Sequence, residues 1–176
     1  MKRWCAAVVM AADEIVTIVD EANRVVGSAP RHEMRARRLI HRATYILVFN
    51  AQGEIFVQKR TATKDVFPSH YDVAAGGVVL AGEEYEPAAR RELAEELGIA
   101  GVPLTRCFDF LYEDDRSRVW GRAYRCTWDG PMTLQAEEIE RGAFQPVDRV
   151  LAGDVRPLTP DGEYVLRRVL GVGAGR

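Results

Sequence analysis

The chain has little of what several kinds of chemistry require. It contains three cysteines, Cys5, Cys107 and Cys126, in 176 residues. That number is odd, and no C-x-x-C or C-x-x-H spacing occurs. A disulfide framework, a zinc knuckle and a dithiol redox site are therefore disfavoured. Free thiols in a reducing compartment are expected, and with them a cytoplasmic location. The three histidines, His32, His41 and His70, form no H-E-x-x-H pair. Neither sign of charge dominates: a net charge of −2 provides no surface for coating a nucleic-acid polymer. No apolar run reaches the roughly 18–20 residues that cross a bilayer. The nearest approach is Trp4 to Ala12, behind Lys2 and Arg3. It faintly resembles a secretory signal, but its apolar part is at the short end. An over-long start or a frayed tail is the expectation for residues 1–13, and a second flexible tail for 171–176. Repeats, low-complexity segments and linkers are absent.

What is present suits one domain spanning 1–176. An apolar share of 47% beside 28% charged residues is ordinary for a soluble globular chain. The length suffices for a full core. Ile15–Asp20 and Arg24–Ala29 are β-rich runs around Glu21-Ala22-Asn23, which predicts an N-terminal hairpin. Arg31 to Leu39, after Pro30, predicts a short basic helix. Thr44–Phe49 and Ile55–Lys59 flank the turn Asn50-Ala51-Gln52-Gly53 and predict a second hairpin. Tyr71–Ala75, Leu104–Tyr112, Arg118–Thr127 and Gly142–Gln145 are further strand-like runs. Pro146–Ala152 and Pro160–Leu170 are helix-like. The order predicts an α/β fold, a mixed sheet between helices.

The most informative stretch is Gly77 to Ile99, GVVLAGEEYEPAARRELAEELGI. A helix from about Tyr85 is expected, because Pro87 is tolerated in a first turn. Gly98 ends it, since glycine takes the left-handed turn at no steric cost. Within it Glu92, Glu95 and Glu96 stand at i, i+3 and i+4, on one face. Leu93 and Leu97 share a different face and can anchor the helix in a core. Three carboxylates on one face repel one another unless a cation joins them. Hard oxygen donors suit Mg2+ or Mn2+.

The stretch fits G-x5-E-x7-R-E-U-x-E-E-x-G-U, with U aliphatic, at every constrained position. It resembles the Nudix box, a loop–helix–loop that cuts nucleoside-diphosphate-linked substrates, and so implies the Nudix fold. By that resemblance the Gly76 carbonyl and the carboxylates of Glu92, Glu95 and Glu96 would hold one to three divalent ions, Mg2+ or Mn2+. Glu92 would be a ligand, the general base, or both. Arg91 would orient a glutamate, and Glu83 would pair with Arg91 or reach a metal through water. Water would attack a phosphorus of a small phosphorylated substrate. A homodimer is compatible with this reading. The alternative is a non-catalytic module that binds a diphosphate ligand.

His41 through Pro68, with the preceding hairpin, is also similar to isopentenyl-diphosphate isomerase, which shares the fold. Its reactive cysteine would fall on Gly76 and a histidine ligand on Val78, so isomerisation is disfavoured. Arg60 and Lys64 match positions that bind the isomerase's diphosphate, and are candidate substrate-binding residues. The other reading of these two is solvated cations at a strand end. His41 is expected to bond to backbone rather than metal. Glu138 is a candidate accessory acid, as is Glu83. Glu113, Asp114 and Asp115 are expected to form a solvated turn. Phe67, Tyr71 and Trp120 could stack on a base, but such aromatics are more often core.

Overall fold

The computed structural model describes residues 11–173. Cys5, the Trp4–Ala12 stretch up to Met10, and residues 174–176 lie outside the described residues. Ala11–Asp13 form a single 3-10 turn, with the Ala12 carbonyl 3.0 Å from His32 Nδ1.

The N-terminal hairpin forms as expected. β1 (Ile15–Val19) and β2 (Val25–Pro30) pair antiparallel, with Asn23 at φ 60° in the turn. Helix α1 covers Arg31–Ala36 and stops short of the expected Leu39. Arg38 takes the left-handed conformation at φ 52°, and the Leu39 N–H bonds back to the Met34 carbonyl. Strand β3 (His41–Phe49) starts three residues earlier than its apolar run suggests, and β4 (Ile55–Arg60) follows the second turn.

β3 organises the sheet. It pairs antiparallel with β1 and β4, and in parallel with β7 (Arg118–Thr127) from His41↔Val119 through Phe49↔Thr127. β7 also pairs with β6 (Thr105–Glu113), and β4 with β5 (Tyr71–Asp72) and β8 (Ile139–Gln145). The predicted strand Tyr71–Ala75 is cut to two residues. After Asp72 the chain leaves β4 and crosses to β3, where Ile46↔Ala75 and Ala43↔Val78 are bridges. β8 starts at Ile139, earlier than Gly142.

Helices cover both faces. On one, Ala89, Leu93 and Leu97 of α2 (Tyr85–Leu97) pack with Ile46, Val48, Phe56, Tyr124 and Cys126. On the other, Val150 of α3 (Val147–Ala152) and Val165 and Leu166 of α4 (Pro160–Val169) pack with Tyr45, Leu47, Val57 and Phe110. Alternation along β3 produces this split, since successive side chains point to opposite faces. Leu93 and Leu97 are fully buried, worth about 1.5–3 kcal/mol each. No helix among the described residues is long and apolar enough to cross a membrane.

Candidate active site

α2 begins at Tyr85 and ends at Leu97. Gly98 caps it at φ 67°, its N–H on the Ala94 carbonyl. The buried stripe Ala89–Leu93–Leu97 fixes the helix rotation, and the glutamates follow from it. Glu96 lies next to the stripe and is 7% exposed. Glu92 is largely covered. Glu95 lies farthest out, its side chain 53% exposed.

The opposite wall is the Ala75–Gly77 segment, held along β3 by Thr44 N–H to the Gly77 carbonyl and Ile46 N–H to the Ala75 carbonyl. The Gly76 N–H donates to Glu96 Oε2 at 3.0 Å. Gly76 has φ 131°, and a Cβ there would sit 2.2 Å from the Thr44 carbonyl oxygen. No L side chain fits that position, so the isomerase's cysteine is excluded by backbone as well as by sequence. Beside it, a Cβ on Gly77 would meet the Glu92 carboxyl carbon at 2.9 Å. The glycine pair thus lets two carboxylates reach the backbone.

Arg91 ties the glutamates together. Its Nε and Nη2 donate to the two oxygens of Glu83 at 2.9 and 3.0 Å, a two-pronged pair. Its Nη1 donates to Glu92 Oε1 at 2.7 Å and Glu95 Oε2 at 3.2 Å. Burial pushes Glu83 up, but bonds from Arg91 and the Leu80 N–H prevail and hold it below the ordinary glutamate value. Burial raises Glu92 despite Arg91. Glu96 is pushed up to about 8, by burial first and then by the negative charge of Glu92. Among the described residues, no three carboxylate, histidine or cysteine side chains converge as a metal cage. Arg91 Nη1 is bonded to both Glu92 and Glu95. The donor types fit a hard divalent ion, since carboxylate and carbonyl oxygens are what such an ion takes, and Glu96 is a buried carboxyl that makes no ion pair with a described residue.

Lys64 forms an ion pair with Glu138, and both impose a field on Glu96. Arg60 donates to the Val66 carbonyl at 3.0 and 3.2 Å and lies 3.4 Å from Asp72 Oδ2. Arg60 and Lys64 line one cavity of about 110 Å3 with Gly76 and Gly77. Arg31, Arg35 and Arg116 line it too and were not singled out from sequence. The only signal for the first two was the basic character of the α1 segment. His41 is buried, 3.1 Å from the Leu39 carbonyl through Nδ1; burial, and then the charge of Arg35, bring it down to about 4. Asp114 accepts the Arg116 and Ser117 N–H groups in a tight turn, and Glu113 pairs with Arg118. Phe67 lies under the Arg116 guanidinium, and Tyr71 near that of Arg141. The Trp120 Nε1 is buried without a hydrogen-bond partner among the described residues. Cys107 and Cys126 are free thiols.

A sheet between helices, with an arginine-bridged glutamate helix against a glycine turn, defines a Nudix-fold hydrolase. Comparison with known proteins agrees. The family profile described as NUDIX domain matches residues 39–169. The chain is 46% identical over 143 residues to the Nudix hydrolase YfcD of Escherichia coli K12, covering 81% of this chain and 79% of that protein. It is 43% identical over 158 residues to a Nudix hydrolase of Pseudomonas aeruginosa, covering 89% and 94%. Among solved structures, DR0079 of Deinococcus radiodurans superposes with a TM-score of 0.75 at 26% identity, over 89% of this chain and 99% of that one. The NUDIX domain of Shewanella oneidensis NrtR, solved with ADP ribose, shares the fold alone: TM-score 0.59, 16% identity, 75% and 86% covered. The chain belongs to the Nudix family.

Proposed function

We propose that the protein is a Mg2+- or Mn2+-dependent hydrolase that cleaves a diphosphate linkage in nucleoside-diphosphate-linked substrates. The observation that carries this reading is the placement of Glu92 and Glu96 against the Gly76–Gly77 backbone, with Arg91 bridging Glu92 to Glu95. The Gly76 carbonyl and Glu92, Glu95 and Glu96 would hold the ion. The bound ion supplies charge neutralisation at the phosphate and acidifies water.

The remaining steps belong to the chain. Arg91 fixes the direction of Glu92 through Nη1 and is itself fixed by both oxygens of Glu83. Glu92 is raised by burial, which suits a carboxylate that takes a proton from the attacking water at Oε. The water oxygen bonds to phosphorus as the bridging P–O bond breaks, leaving two phosphorylated products. Glu138, paired with Lys64 and felt by Glu96 through its charge, would assist Glu96.

The test is product release from nucleoside diphosphates and triphosphates, sugar nucleotides, dinucleotides and prenyl diphosphates, with Mg2+, with Mn2+ and with chelator. Metal-dependent turnover is expected, and Glu95→Gln or Glu96→Gln lowers it by about two orders of magnitude or more while the fold survives. A wild type inert on the whole panel, yet binding one of its members tightly, identifies a binding module instead. Conversion of isopentenyl to dimethylallyl diphosphate would support the isomerase.

A further inference from the structure

The cavity beside the glycine turn is assembled from distant segments. Arg31 and Arg35 come from α1, Arg60 and Lys64 from the end of β4 and its loop, and Arg116 from the β6–β7 turn. Five cations face three carboxylates, Asp72, Asp114 and Asp161, so the lining is positive. Much of that charge is already paired: Arg31 with Glu14, Arg60 with Asp72, Lys64 with Glu138. Arg35 is held more loosely: it forms an ion pair with Asp65 at 3.6 Å, and its buried Nε has no hydrogen-bond partner among the described residues. Arg116 is exposed at the rim, its guanidinium 5.3 Å from the Phe67 ring centre. A buried donor without an acceptor is costly, and a planar guanidinium suits phosphate oxygens.

Size restricts the occupant. A cavity of about 150 Å3 takes one benzene ring. At about 110 Å3 this cleft is smaller and open on one side, so a nucleobase or a sugar ring overfills it and would lie at its mouth. A phosphoryl group fits inside. Gly76 and Gly77 form one wall, and the same two residues touch Glu96 and Glu92 on the other side. A group in the cavity therefore lies next to the phosphorus under attack.

We propose that the cavity holds the uncapped terminal phosphoryl group of the substrate, and that Arg31, Arg35 and Arg116 select for it. Resting on the hydrolase reading above, this names the substrate class: nucleotides whose phosphate chain ends free, in preference to chains capped at both ends by a sugar or a second nucleoside. The base and ribose stay outside, on the open side of the carboxylate helix.

The experiment compares ADP with ADP-ribose, and ATP with diadenosine tetraphosphate, in wild type, Arg35→Gln and Arg116→Gln, all with Mg2+. Pyrophosphate binding is measured by calorimetry alongside. Wild type is expected to favour the free-ended member of each pair by about tenfold or more in kcat/KM. Each variant raises KM for that member about tenfold with little change in kcat, and weakens pyrophosphate by a similar factor. Arg116 is an exposed turn residue, so its variant keeps the fold even if the Arg35 variant does not. Equal use of capped and free substrates, or unchanged KM and pyrophosphate affinity in both variants, overturns the proposal. Calorimetry separates the two readings. A protein that hydrolyses nothing but loses pyrophosphate affinity in Arg116→Gln keeps the pocket and loses the hydrolase. One that hydrolyses but binds pyrophosphate equally in all forms loses the pocket alone.

Discussion

Glu96 Oε2 accepts the Gly76 N–H at 3.0 Å, so the most buried box carboxyl is bonded to the residue whose carbonyl would share its ion. The hydrogen bond favours the charged form, yet burial and the charge of Glu92 outweigh it.

Glu96 titrates from 4.5 in the ordinary carboxyl to about 8 in the folded protein. Between those values the folded state holds a proton that the unfolded state has released. Stability contributed by that proton is present below the lower value and is lost as pH rises toward 8. Thermal melts in chelator, from pH 5 to 9, are expected to show the wild type losing more stability than Glu96→Gln as pH rises. Parallel melting curves for the two proteins would contradict this.

Gly76→Ala places a Cβ against the Thr44 carbonyl at an unfavourable φ. The expected loss is about 3 kcal/mol or more, read by urea denaturation. Gly77→Ala instead displaces the Glu92 carboxylate. It is expected to cost less stability and to lower turnover about a hundredfold, because small misplacements of a reacting group are expensive. Equal denaturation midpoints for the two variants would contradict the contrast.

Arg91→Lys keeps a positive charge but loses the fork that grips Glu83 and reaches both Glu92 and Glu95. Activity or metal affinity is expected to fall about 10- to 100-fold, with the melting temperature changed little. Steady-state kinetics across a Mn2+ titration checks it; full activity at ordinary Mn2+ levels would show that the bridge is dispensable.

Much of this was legible in the sequence where punctuation marks a boundary. Pro87 and Gly98 bracket α2, and the three-residue turn at Glu21 to Asn23 brackets the first hairpin. Boundaries set by tertiary contact were not legible. The Tyr71–Ala75 run is apolar enough for a longer strand, but the chain leaves β4 after Asp72 to bridge β3. β8 hides its start because Glu140 and Arg141 lie on an exposed stretch of strand. The box glutamates were legible as a face of a helix. The resemblance implied that Arg91 orients a glutamate and pairs with Glu83; that its Nη1 reaches both Glu92 and Glu95 could not be read, since side-chain direction is decided by what else is packed nearby. Arg35 and Arg116 are 81 positions apart, and nothing local links them.

The parallel ladder between β3 and β7 has a temporal meaning. Every partner of β3 in that ladder, from Val119 to Thr127, follows the box in the chain. A nascent chain on the ribosome therefore carries Glu83, Glu92, Glu95 and Glu96 before it owns the strand that steadies β3. Such long-range pairings form late and slowly. Catalytic competence is expected only after that strand and the later β8, α3 and α4 have been made, well after the last box residue.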